Sequence, residues 1–313
     1  MKAVIEAKGL TRTFGSLVAV DHVTFEIFQG EIFGFLGANG AGKTTTVRML
    51  TGVIDPTKGT AAIQGHDIRK ESLLSRTHIA VVPEEANVYL DLTVWQNLML
   101  MAELHGIERH QRFQKAGQLL DTFGLSDKTK QKARTLSKGL RQRLMLCAAL
   151  VTDPKILFLD EPTSGLDVQS ARLIRKTVGD LNQNGLTVFL TTHNMDEASE
   201  LCSRVAIIDK GRIVAIDSPE KLSSTISARQ YIKVSFAGTL PEPNDLSVIP
   251  GVSQVEVDHQ TFLLYTELPG QVITKVVRLA DHNELEITDI CNCKPSLEEV
   301  FLHFTSSGKR GKL

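Results

Sequence analysis

The sequence predicts an α/β fold, a parallel sheet with helices on both faces, followed by a small α+β domain. Three observations predict it. Ile156–Leu159 and Leu186–Leu190 are apolar runs of buried-strand length, each followed by a helix-length segment, as in a covered parallel sheet. Glu31-Ile-Phe-Gly-Phe-Leu36, another apolar strand, leads into Gly37-Ala-Asn-Gly-Ala-Gly-Lys-Thr-Thr45, which contains G-x-x-x-x-G-K-[ST]. After Pro219 the apolar pattern changes to alternation, the mark of half-buried strands.

The elements follow in order. Residues 2–8 and 18–28 are β-rich, with a glycine turn at Gly15. The strand 31–36 and its glycine loop open a helix over Thr44–Thr51, with Gly52 placed to end it. Asp55-Pro-Thr-Lys-Gly59 is a turn by composition, leading into a short strand, Thr60–Ile63. Ile79–Val82 is a strand ended by Pro83. Between residues 93 and 123, Trp95, Leu98, Met99 and Ala102, then Phe113, Ala116, Leu119, Leu120 and Phe123, recur at helical spacing. This is a helical insertion between strands. Val205–Ile208 supplies a further strand.

A boundary is expected near residues 219–230. Beyond it Ile232, Val234 and Phe236, then Val255 and Val257, then Phe262 and Leu264, alternate as strands do. A helix follows with Val272, Ile273, Val276, Val277 and Ala280 on one face, then a strand at Leu285 and Ile287. The last helix carries Leu297, Val300, Phe301 and Phe304 and opens on a capping box of Ser296 and Glu299. The tail, 306–313, is basic and expected to be a loose end.

Bulk properties exclude several function classes. The 313 residues suggest two domains. With 42% hydrophobic and 23% charged residues the composition is that of an ordinary soluble protein. A net charge of -1 offers no general basic field for nucleic acid. No apolar stretch is long enough to cross a membrane, and Met1–Leu10 lacks the apolar core and cleavage site of a secretion signal. Four cysteines without a regular framework fit a reducing cytoplasm. Cys291 and Cys293 form a C-x-C pair with no second pair of ligands and are expected to be strand or loop thiols.

The glycine loop describes a phosphate cradle. Its candidate nucleotide-binding residues are Gly37, Asn39, Gly40, Ala41, Gly42, Lys43, Thr44 and Thr45. Glycines let successive N–H groups turn inward, and the helix N-terminus adds partial positive charge. Lys43 can reach the β- and γ-phosphates, and the Thr44 hydroxyl can ligate Mg²⁺. Ile156-Leu-Phe-Leu-Asp-Glu161 is an apolar strand ending in two acids. Strand alternation would send Asp160 toward a metal and Glu161 toward a water in line with the γ-phosphate. Leu136-Ser-Lys-Gly139 precedes an apolar helix and, taken alone, is a helix cap.

In order, the phosphate loop at 37–45, Pro83-Glu84, Leu136-Ser-Lys-Gly139, the acidic strand 156–161, Ser164-Gly-Leu-Asp167 and His193 resemble the ATP-binding subunit of an ATP-binding cassette (ABC) transporter. The resemblance covers roughly residues 3–222 and implies a P-loop NTPase core of ABC type with a helical subdomain. The domains are then 1–222, with the subdomain at about 87–152, and an α+β domain over 229–305. It further implies that ATP and Mg²⁺ are held in a head-to-tail dimer of two copies. Ser137 and Gly139 of one copy reach the γ-phosphate held by Lys43 of the other, and Asp167 lies across the seam. His193 touches the γ-phosphate and holds the attacking water, and Asn194 with Glu197 caps the next helix. Phe14 stands where an aromatic stacks on adenine.

Some positions depart from the commoner pattern. Glu84 replaces a glutamine that contacts Mg²⁺; a carboxylate still ligates that ion but donates no hydrogen bond when ionised. Lys138 and Leu140 replace a glycine and a glutamine of the usual signature. The LSKG form and the C-terminal Pro295-Ser-Leu-Glu-Glu-Val-Phe-Leu302 resemble an exporter-type branch linked to drug, antibiotic, sodium or lipid efflux. The implied protein is a cytoplasmic ATPase, peripheral at the membrane on a separate permease, docked through the Glu84 loop and Leu92–Leu104 with Trp95 as anchor. The alternatives are a soluble ABC ATPase acting on ribosomes or DNA, and a regulatory subunit with little turnover. A single phosphate loop, with no heptads or basic stripe, opposes the first, and the presence of Glu161 and His193 the second.

Overall fold

The computed structural model describes residues 2–225, 230–238, 240–293 and 295–306. The basic tail expected at the C-terminus lies, beyond Ser306, outside the described residues. The chain forms two compact units that divide between Asp217 and Ser218.

In the first unit β1 (Ala3–Phe14) and β2 (Leu17–Phe28) form an antiparallel hairpin across Gly15. Next come β3 (Ile32–Leu36), α1 (Lys43–Leu50), β4 (Lys58–Ile63), β5 (His66–Asp67), α2 (Ser72–Arg76) and β6 (Ile79–Val82). Then α3 (Val94–Leu104), α4 (Arg109–Thr122) and α5 (Lys138–Leu150) form the helical insertion. The unit closes with β7 (Ile156–Asp160), α6 (Val168–Gln183), β8 (Thr187–Thr192), α7 (Met195–Leu201), β9 (Arg204–Asp209) and β10 (Arg212–Asp217).

Two sheets result, β2-β1-β4-β5 and β10-β9-β3-β8-β7-β6. The second is parallel from β9 to β6, with β10 antiparallel at its edge. Every residue of β3, β7 and β8 is buried, which is why these strands are built around apolar runs. Phe25, Phe33, Phe35, Phe158 and Phe189 share one core cluster, with Phe189 5.4–6.2 Å from each of the other four rings. In the helical insertion Leu98, Ala102, Ala116, Leu120 and Phe123 are buried. Phe113, expected on that face, is exposed and lies against Trp95, ring centroids 5.5 Å apart.

The second unit runs through α8 (Pro219–Thr225), β11 (Tyr231–Ala237), α9 (Pro243–Ser247), β12 (Gln254–Asp258), β13 (Thr261–Tyr265), α10 (Pro269–His282), β14 (Glu286–Cys293) and α11 (Leu297–Ser306). Its antiparallel sheet, β12-β13-β11-β14, joined by α9 and α10, is the split βαβ arrangement. Val272, Val276 and Ala280 turn one stripe of α10 into the core, whereas Val277 is exposed. The Ser296–Glu299 capping box forms with both hydrogen bonds.

Each unit has its own apolar cluster. Phe236 is fully buried in the second, edge-on to Phe262. Phe236→Ala is expected to destabilise that unit by about 3–5 kcal/mol. The chain's one tryptophan, Trp95, belongs to the first unit. Its fluorescence transition in urea should stay in place while amide exchange in β11–β14 accelerates.

Candidate functional site

The loop after β3 curls so tightly that only glycine fits at its end. Gly42 has φ +109°, and a Cβ there would meet the Ala19 carbonyl oxygen at 2.6 Å. Lys43 begins α1 and is 5% exposed. Its Nζ donates to the carbonyls of Gly37 (2.7 Å) and Ala38 (3.2 Å) and pairs with Glu161 Oε1 at 3.0 Å. A cavity of about 450 Å³ opens beside it, lined by Phe14, Leu17 and Ala19 of the hairpin, by Asn39, Gly40, Gly42, Lys43, Thr44 and Thr45, and by Glu84 and Glu161.

The two acids diverge, but strand alternation is not the cause. The strand ends at Asp160, and Glu161 takes the left-handed conformation, φ 49°. Its N–H donates to the Thr191 carbonyl at 3.0 Å, holding the turn against β8. Asp160 Oδ1 accepts from the hydroxyls of Thr44 (3.2 Å) and Thr191 (2.5 Å). Glu161 Oε2 meets His193 Nδ1 at 2.7 Å and accepts from the His193 N–H at 3.4 Å. One carboxylate thus stands among hydroxyls, and the other between a lysine and a histidine. A non-glycine residue in this conformation is strained, and here Lys43, Thr191 and His193 hold it.

Asn194 caps α7 by accepting from the Glu197 N–H at 3.0 Å. The Glu197 side chain does not return to that cap. It is fully buried and accepts from the Thr163 hydroxyl at 2.7 Å, which ties the segment after His193 to the turn after Glu161.

The remaining sequence-predicted residues stand apart from the cavity. Ser137 caps α5, accepting from the Leu140 N–H at 3.3 Å. Gly139 packs against α6, where a Cβ would come 2.4 Å from Ser170 Oγ. Asp167 caps α6, accepting from the Ser170 N–H at 2.8 Å. That backbone N–H, with the Ser170 hydroxyl, holds its carboxyl below the usual range. Gly37, Ala41, Asp160 and His193 support the cavity's lining without being part of it.

Sequence reasoning missed Thr191, whose only signal is a hydroxyl pair closing an apolar strand. It also missed Leu17, Ala19 and Arg12, whose guanidinium lies 4.6 Å over the Phe14 ring. A long hairpin folding over the loop brings these in, and no local motif announces it.

Mg²⁺ takes oxygen ligands, usually one or two carboxylates with substrate phosphates and water. The Thr44 hydroxyl and Asp160 carboxylate, 3.2 Å apart, fit that donor set. Among the described residues no group of three His, Cys, Asp or Glu could hold a metal alone.

A buried lysine in a glycine cradle, beside a carboxylate fixed by histidine, defines a phosphate-loop nucleoside triphosphatase. A family model described as "ABC transporter" matches residues 20–164. The linearmycin resistance ATP-binding protein LnrL of Bacillus subtilis is 31% identical, over 96% of this chain and 98% of that protein. The daunorubicin resistance ATP-binding protein DrrA3 of Streptomyces coeruleorubidus is 34% identical, over 98% of each. A solved "ATP binding subunit of ABC transporter" superimposes with a TM-score of 0.65 at 26% identity, covering 71% of this chain and 92% of that one. The chain belongs to the ABC transporter family as an ATP-binding, ATP-hydrolysing subunit.

Burial holds the Glu197 carboxyl above its ordinary pKa, with hydrogen bonds from Thr192 and Thr163 opposing in part. The folded state therefore binds that proton more tightly than the unfolded chain. The resulting stability is complete below the unfolded pKa and is lost as pH rises through the folded one. Glu197→Gln removes this loss, so its stability relative to the parent should rise as the pH climbs above the ordinary glutamate pKa and through the raised folded one. Urea midpoints at each pH check this, and a constant difference would refute it.

Proposed function

We propose that this chain is the motor subunit of an ABC exporter for drug-like molecules, acting as a pair of copies on a separate membrane permease. One observation carries the catalytic part. Glu161 is buried in a left-handed turn between Lys43 and His193 and lines the cavity beside the phosphate loop.

ATP lies with its adenine on Phe14 and its phosphates against the loop N–H groups and the N-terminus of α1. Phosphate oxygens compete with the loop carbonyls and with Glu161 for the Lys43 ammonium. Once Lys43 turns to the phosphates, Glu161 Oε1 is free to accept the proton of the attacking water. His193 keeps the carboxylate aimed through Oε2. Thr44, Asp160 and Glu84 would hold Mg²⁺, which would spread the charge that develops on the phosphates. General-base help of this kind is worth about 10²–10⁴ in rate.

Ser137, Gly139 and Asp167 do not line the cavity of their own chain. This supports their roles toward nucleotide held by a second copy. The drug-resistance names of the two relatives support export. Among the described residues no helix is long and apolar enough to cross a membrane, in keeping with a subunit that works on the cytoplasmic face of a permease. Trp95 and Phe113 form a partly exposed aromatic pair suited to anchor that contact. No basic stripe favours the rival role on nucleic acid.

Glu161→Gln should retain ATP binding and lose turnover by about a hundredfold or more. Full steady-state hydrolysis in that variant would end the assignment of the base. Trp95→Ala should leave hydrolysis by the free subunit intact and reduce its co-purification with the permease. Equal recovery of both forms would place the docking surface elsewhere.

A further inference from the structure

The start of α5 is fastened to the segment after Glu161 at three points. Lys138 Nζ donates to the Ser164 carbonyl at 2.8 Å. Gly139 lies against Ser170 too closely for any Cβ. Arg143 Nη2 donates to Ser170 Oγ at 3.0 Å. Gly139 and Arg143 are ordinary helix packing, but Lys138 works against the helix that carries it. It occupies the first position of α5, with no acid in that first turn. The exposed N–H groups there carry partial positive charge and disfavour a cation. The Ser164 carbonyl is the acceptor that offsets this.

Ser164 belongs to a tight turn. Its N–H donates to the Glu161 carbonyl at 3.1 Å, and the Leu166 N–H donates to the Thr163 carbonyl at 3.2 Å. Gly165 takes φ +64° between them. The Ser164 hydroxyl donates to Glu84 Oε1 at 3.5 Å, a long contact. Glu84 in turn lines the nucleotide cavity, whereas Lys138 does not.

We infer that Lys138 is a positioning residue. Its ammonium holds the turn at Ser164 and Gly165, and through the Ser164 hydroxyl it sets where the Glu84 carboxylate stands at the cavity. A charged donor is suited to this because hydrogen bonds from ammonium groups to carbonyls are stronger than neutral ones. The stem of a lysine also reaches the turn from an exposed helix start. The second link rests on the proposed place of Glu84 beside the metal and phosphates; the first link does not.

Amide exchange of the full chain, without nucleotide or metal, tests the first link. In Lys138→Met, which keeps the stem and loses the donor, the Ser164 and Leu166 amides should exchange about fivefold faster. The amides of α5 and β7 should be unchanged, and Lys138→Arg should restore protection. Unchanged exchange at the turn overturns the inference, as does acceleration along all of α5, which would mean a helix defect.

The second link is read from the Mg²⁺ concentration that gives half-maximal ATP hydrolysis. It should rise in Lys138→Met and in Ser164→Ala, with the double variant no worse than the more affected single one. Additive effects overturn the relay to Glu84. If the parent chain failed to hydrolyse ATP, the motor reading would fall, and the exchange experiment would still decide the first link.

Discussion

The buried pair of Lys43 and Glu161 is the interaction on which the site depends. Two opposite charges stand 3.0 Å apart, each almost fully out of water. Removing charges from water is costly, and mutual attraction offsets that only when the remaining donors and acceptors are also satisfied. The surroundings supply those partners. The Gly37 and Ala38 carbonyls take the lysine's other protons, and His193 takes the second oxygen of the glutamate. Glu161 Oε1 has the ammonium's charge beside it but no hydrogen bond, so the pair is built from groups that a triphosphate can re-partner. In the proposed mechanism, triphosphate binding and activation of Glu161 as the base are linked through one ammonium.

The parallel register makes this arrangement possible. Leu36 pairs with Thr192, and Asp160 pairs with Thr191. The carboxyl ends of β3, β7 and β8 therefore finish side by side, the usual place for a ligand in such sheets. The loop with Lys43, the turn with Glu161 and the segment with His193 all leave the sheet at this edge. Phe25, Phe33, Phe35, Phe158 and Phe189 fix the strands from beneath. Errors in strand spacing would be transmitted directly to the distances among lysine, glutamate and histidine.

The same edge is tied to the segments that face away from the cavity. Glu197 fastens the residues after His193 to Thr163, and Lys138 fastens the start of α5 to Ser164. The short stretch from Glu161 to Asp167 is held from both sides and ends by capping α6. Movement of the helical insertion at α5 can reach Glu161 through this stretch, and movement after His193 reaches it both here and through His193 itself. That gives a physical route by which events at α5 and events at the phosphates can influence one another.

Much of this was legible in the chain because the information is local. The glycine loop is a backbone requirement that few other residues meet, and β3, Ile156–Leu159 of β7 and Val188–Leu190 of β8 announce their burial by apolar runs. The capping box at Ser296 and Glu299 is also local and forms in full. Other features depend on partners far away in sequence. Glu197 has the spacing of a cap partner but turns inward, because the core offers Thr163 across 34 residues. Phe113 has the spacing of a core residue but lies on the surface against Trp95, because the stripe through Ala116 and Leu120 already fills the interior. The sequence alone determined which groups are available for phosphate, metal and proton. Tertiary structure decided that Glu161 sits in a left-handed turn between Lys43 and His193, because only the packed parallel sheet brings residues 118 and 32 positions away to the same carboxylate.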